Sequence, residues 1–159
     1  MSIWTTIPNY LTAVIQRTDP KFMRSFMPQM DVIMEKTLQV HPSDSTMMGL
    51  AAIWYYSTER MDDAQRWFAL NSETYPESIA ARASLVEFLM YAQKWEDLSV
   101  EGRKAFEDFP QESAFLEMAS VGDFNLERYD DVMDICDRVL QVAPRDSSKT
   151  LRAWSTKGD

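Results

Sequence analysis

The stretch Met61-Asp-Asp-Ala-Gln-Arg-Trp-Phe-Ala-Leu-Asn-Ser-Glu-Thr-Tyr-Pro76 decides the fold, because it returns in altered form at one fixed distance on either side. Steps of 34 residues, a period typical of helical repeats, join Pro42, Pro76, Pro110 and Pro144, four of the seven prolines. The same step joins Met61, Trp95 and Tyr129, each followed by an acidic pair: Asp62-Asp63, Glu96-Asp97 and Asp130-Asp131. Proline breaks a helix interior, so prolines at a constant interval mark where one unit stops and the next begins.

Working outward, apolar residues at spacings of three and four predict helices over about 45–58, 62–74, 79–92, 96–108, 113–125 and 130–142, paired by short polar turns into hairpins. Asp44, Ser78, Glu112 and Asp146 recur in register ahead of the first helix of each unit, where a polar or acidic group suits a helix N-terminus. Upstream, Pro8, Pro20 and Pro28 punctuate the pattern. Asn9 can cap a short helix to about Arg17, and Asp19 can cap a second with Pro20 at its first position. Pro28 either starts another helix or kinks the same one, which then runs through Met30, Ile33, Met34, Thr37 and Leu38. The expected organisation is an irregular helical segment over 1–27, a repeat array over 28–144 with full units 45–78, 79–112 and 113–146, and a partial or capping helix over 145–159 carrying Leu151 and Trp154.

Composition agrees with helices. The 159 residues are 45% apolar, with five Trp and eight Phe, which supports a folded core, and only four Gly. A net charge of -9 disfavours nucleic acid and anionic lipid as partners. No apolar run approaches the ~20 residues a bilayer span needs. The single Cys136 excludes an intrachain disulfide, and the N-terminus lacks the pattern of a signal peptide, so a cytoplasmic location is the default unless the chain is a fragment of an exported protein.

Residues 45–144 resemble three tandem tetratricopeptide repeats (TPRs), with the second helix of a further repeat at 28–42. In the unit from Ser45, Ala52, Tyr55, Ala64, Phe68 and Pro76 occupy the family's signature places. The unit from Ile79 places Val86, Leu89, Leu98 and Gly102 there, with Arg82 where a large apolar residue is typical. The unit from Ser113 keeps Ala119, Ser120, Val132, Cys136 and Pro144 but puts Asp123 at the large apolar place. The resemblance implies an all-α, right-handed superhelical solenoid of antiparallel hairpins whose concave face, formed mainly by first helices, binds an extended segment. Ala52, Ala64 and Ala119 should mark close backbone approaches, and Phe68, Leu85, Leu89, Leu116 and Leu140 should fill the spaces between helices.

By the same resemblance the partner-binding residues are Ile53 and Tyr56 in the first unit, Glu87, Met90 and Tyr91 in the second, and Glu117, Val121 and Phe124 in the third. Thr46, Gly49, Ser57, Ala80, Ala83, Ala114 and Asn125 complete the face. One subgroup of the family grips C-terminal carboxylates of chaperones with Lys, Arg and Asn, but those places here hold Gly49, Leu50, Ile53, Ala80 and Ser84. The acidic pairs fall in the first turn of each second helix, where they complement the helix dipole. His41 and Cys136 have structural placements, and no phosphate loop, nucleophile elbow or zinc spacing occurs. The expectation is a non-catalytic scaffold without cofactor or metal that binds a protein or peptide. The alternative is an assembly segment of a longer solenoid, self-associating through its C-terminal end.

Overall fold

The structure, a computed structural model, describes residues 20–40 and 42–142. The expectations for residues 1–19, His41 and 143–159, including the segment with Leu151 and Trp154, lie outside the described residues. Among the described residues there are seven helices and no strand: α1 (Pro20–Val40), α2 (Ser45–Ser57), α3 (Met61–Thr74), α4 (Ile79–Tyr91), α5 (Trp95–Asp108), α6 (Ala114–Asn125) and α7 (Tyr129–Val142). The helices from α2 onward stand within a residue of where the apolar spacing put them. α1 starts at Pro20 and continues unbroken through Pro28, which removes one N–H donor from its interior.

The chain divides into two compact units, with the boundary after Ala81 inside α4. In the first, α2 packs along α3 and more lightly on α1. Met48, Ala51, Ala52, Trp54 and Tyr55 of α2 are buried, as are Ala64 and Phe68 of α3. In the second, α6 packs on both α5 and α7, with Leu98, Ala105, Phe106, Phe115, Leu116, Ala119 and Ile135 buried. Ala52, Ala64 and Ala119 are fully buried, Phe68, Leu85, Leu89 and Leu116 are core residues, and Leu140 packs against Val132 and Cys136.

Each hairpin turns in the same way. Glu59, Gln93 and Glu127 have φ of 62°, 56° and 59°, the left-handed region. The following N–H in each case reaches back to close the helix: Arg60 N to Tyr55 O at 2.9 Å, Lys94 N to Leu89 O at 2.9 Å, and Arg128 N to Asp123 O at 2.9 Å. This is the Schellman closure, which ordinarily favours glycine at its left-handed residue. Here side chains with a Cβ occupy it, at a cost of about 1 kcal/mol each. Glu59→Gly, Gln93→Gly and Glu127→Gly are therefore expected to stabilise the protein by about 0.5–1 kcal/mol each. Urea unfolding checks this, and a loss of stability in all three would contradict the reading of the turns.

The starts of the helices are capped unevenly. Asp44 Oδ1 accepts from Met47 N at 2.9 Å, and Ser78 Oγ accepts from Ala81 N at 3.2 Å. Ser113 makes no such bond before α6. The acidic pairs Asp62-Asp63, Glu96-Asp97 and Asp130-Asp131 stand in the first turns of α3, α5 and α7, and all six residues are exposed. Among the described residues no group of His, Cys, Asp and Glu is arranged to hold a metal ion.

Candidate partner-binding faces

The first helices of the hairpins, α2, α4 and α6, carry few charges: none on α2, Arg82 and Glu87 on α4, Glu117 and Asp123 on α6. Arg82 is drawn to α5, donating to Asp108 Oδ2 at 2.8 Å with Glu101 at 3.8 Å, which explains a cation at a place that favours an apolar residue. Asp123 is wholly buried, accepting from Ser99 Oγ at 2.7 Å and from Arg103 Nη2 at 2.6 Å.

These buried polar contacts have a counterpart in the first unit with its polarity reversed. Asp31 of α1 accepts two bonds from Arg60, at 3.0 and 2.6 Å, and one from Trp54 Nε1 at 2.9 Å. Arg60 also lies over the Tyr55 ring, 4.3 Å from its centre. Asp31 and Ser99 are two periods apart, as are Tyr55 and Asp123. The carboxylate thus stands on the leading helix in one unit and on the following helix in the other. The Arg60 guanidinium holds the Asp31 carboxyl below its usual range against the opposing effect of burial. Stability from this contact is present above the ordinary carboxylate pKa and is lost as pH falls through the depressed value.

The residues expected to meet a partner fall on one stripe of each helix. On α2, Ile53 is half-buried and Tyr56 is exposed. On α4, Glu87 is exposed, Met90 half-buried, and Tyr91 presents 67% of its surface. On α6, Glu117 is half-buried, Val121 exposed, and Phe124 presents 57% of its surface. In each helix the spacings of three and four place these side chains together on one face.

Tyr129, at the start of α7, adds a ring that the repeat register does not point to: it meets Phe124 edge-on at 5.9 Å between centres and is itself exposed. Gly49, also on the expected face of α2, has open space where a Cβ would stand. Although Glu87 is exposed as a residue, neighbouring atoms crowd its carboxyl and desolvation raises its pKa. The fold therefore favours the neutral acid, and stability held below the ordinary carboxylate pKa declines as pH rises through the raised value.

No family model matches the sequence, and no curated protein matches it. Solved structures do. The TPR domain of Arabidopsis OM64 superposes with a TM-score of 0.55 at 10% identity, over 72% of this chain and 94% of that one. The described helices have the TPR fold. A second TPR structure, the first TPR of Spaghetti (RPAP3) bound to the HSP90 peptide SRMEEVD, superposes with a TM-score of 0.55 at 11% identity, over 72% of this chain and 93% of that one. The TPR helices of this chain share little sequence with either, and no described helix is long and apolar enough to cross a membrane.

Proposed function

We propose that the protein is a non-catalytic interaction module that holds a peptide or protein segment against α2, α4 and α6, the helices that line the concave face in the superhelix its repeats resemble. The observation that carries this reading is the exposure of Tyr56, Tyr91 and Phe124 on helices whose other faces are packed. Tyr56 and Phe124 stand at the same place of the repeat and Tyr91 is one residue beyond it, beside Met90; aromatic rings left open to water in this way are suited to anchoring a partner, since they offer large contact area at low entropic cost. The likeness to a TPR domain with a bound peptide supports the class of work, not the ligand. SRMEEVD carries acidic side chains, whereas α2, α4 and α6 carry the acidic residues Glu87, Glu117 and Asp123 and a single cation, Arg82, which is held by Asp108. Such a peptide would meet repulsion here.

The test is selection from a displayed library of random twelve-residue peptides on the full chain. The protein should enrich binders, and Tyr56→Ala combined with Phe124→Ala should weaken them by about 30-fold or more, the loss typical of truncated anchors. Circular dichroism and Tm should stay unchanged. Undiminished binding by that variant would remove these faces from the reading.

A further inference from the structure

We infer that residues 144–159 pack on α7 of the same molecule, with Leu151 and Trp154 covering an apolar row that α7 leaves partly open. The row is Tyr129, Met133, Cys136 and Leu140, whose steps of four, three and four place them on one face of the helix. Cys136 is buried and Leu140 half-buried, but Tyr129 presents 56% of its surface and Met133 38%. One period earlier the same row on α5 is Trp95, Ser99, Gly102 and Phe106, and the helix that follows α5 in sequence lies against it. Gly122 of α6 comes up to Trp95 O and Ser99 N, Asp123 accepts from Ser99 Oγ, and Gly102 faces Phe115 and Ala119. The C-terminal end of α6 thus stands at the start of α5. Where α5 has Ser99 and Gly102 in the middle of this row, α7 has the more apolar Met133 and Cys136.

Seventeen residues follow Val142, enough for a short link and about three turns of helix. Pro144 and Asp146 stand one period after Pro110 and Glu112, which precede α6. The same antiparallel course carries Trp154, one period after Ser120, to the level of Met133. Charge selects this occupant. Arg145, Lys149, Arg152 and Lys157 against Asp146 and Asp159 make the stretch cationic in a chain of net charge -9. On α7, Asp130, Asp134 and Asp137 form a row beside the apolar one, and the helix's one cation, Arg138, lies over the Phe106 ring, 5.4 Å from its centre. Opposite charges flanking an apolar seam fix which surfaces meet. Joining α7 to α7 of a second copy would instead bring two acidic helices together, whereas the tethered stretch is held near its site at an effective concentration on the order of millimolar.

Hydrogen exchange of the full chain, read by mass spectrometry, tests this. Amides of residues 148–157 should exchange about tenfold or more slowly than in the free peptide of the same sequence, and equally at low and high protein concentration. Tyr129→Ser with Met133→Ser should remove most of that protection while α5 and α6 keep theirs, and Asp130→Asn with Asp134→Asn should reduce it and make it less sensitive to salt. A second readout leaves α7 unaltered: Leu151→Ser with Trp154→Ser should speed alkylation of Cys136 several-fold. Exchange as fast as in the free peptide overturns the inference, as does protection indifferent to the Tyr129 and Met133 changes, or a Cys136 that reacts no faster in the Leu151 and Trp154 variant. Protection lost on dilution overturns it too, because a second copy is then the occupant.

Discussion

Gly122→Ala should destabilise the protein by about 3 kcal/mol, whereas the same change at Gly49 should stabilise it by about 0.5–1 kcal/mol. Both glycines lie inside helices, where alanine is intrinsically favoured. What separates them is the neighbouring backbone. A Cβ on Gly122 would stand 2.7 Å from Trp95 O and 2.9 Å from Ser99 N, main-chain atoms at the start of α5 that cannot swing aside. At Gly102, on the facing helix, a Cβ would meet Phe115 O at 2.9 Å and the Ala119 Cβ at 3.0 Å. α5 and α6 therefore approach through two glycines, one on each helix, and a methyl group at either has to force them apart. At Gly49 nothing lies within 4 Å of the added carbon. Denaturant unfolding of the three alanine variants tests the contrast. A Gly122→Ala protein as stable as the native one would mean that α5 and α6 do not meet as closely as this.

How much of this was legible beforehand depends on whether a residue's role is local. The hairpins were readable because Pro42, Pro76 and Pro110 stop helices by their own covalent chemistry, and because α2 to α7 show three- and four-residue apolar spacing. The turns were readable as turns but not in conformation: Glu59, Gln93 and Glu127 take left-handed backbone without the glycine or asparagine that would have announced it. The long-range partners were invisible for a different reason. Nothing near Arg60 in sequence identifies Asp31 as its acceptor, and nothing near Gly122 identifies the Trp95 carbonyl. For the proposed binding faces, the register picked out Tyr56, Tyr91 and Phe124, which the structure leaves exposed, but gave no sign that Tyr129 would meet Phe124, a contact that exists only because α7 folds back against α6. Asp123 and Arg82 stood out as departures from the repeat pattern, and each departure is matched by a charge of opposite sign on α5.

Asp123→Ala should cost about 2–4 kcal/mol, and the loss should be recoverable without restoring the charge. The carboxylate is fully enclosed, so its desolvation is offset only by Ser99 Oγ, by Arg103, which also donates to that same Ser99 oxygen, and more distantly by Arg128 at 3.9 Å. Truncating it leaves the Ser99 hydroxyl without its acceptor and opens a space beside α5. Arg103→Ala is the complementary injury, since it leaves a buried anion with one neutral donor and a distant cation; it should cost a similar amount, reduced because Arg103 is 29% exposed and water can partly take its place. One period earlier the same place in the fold is filled by Leu89, which is buried among apolar neighbours. Replacing the pair together, as Asp123→Leu with Arg103→Met, removes both charges and fills the space, and buried ion pairs exchanged in this way for apolar side chains are commonly neutral or stabilising. The double variant should therefore lie within about 1 kcal/mol of the native protein, well above what the two single losses would give if they added. A double-mutant cycle by urea unfolding measures this directly. Strict additivity would show that Asp123 and Arg103 act independently, and the contact would then be an incidental meeting of two charges.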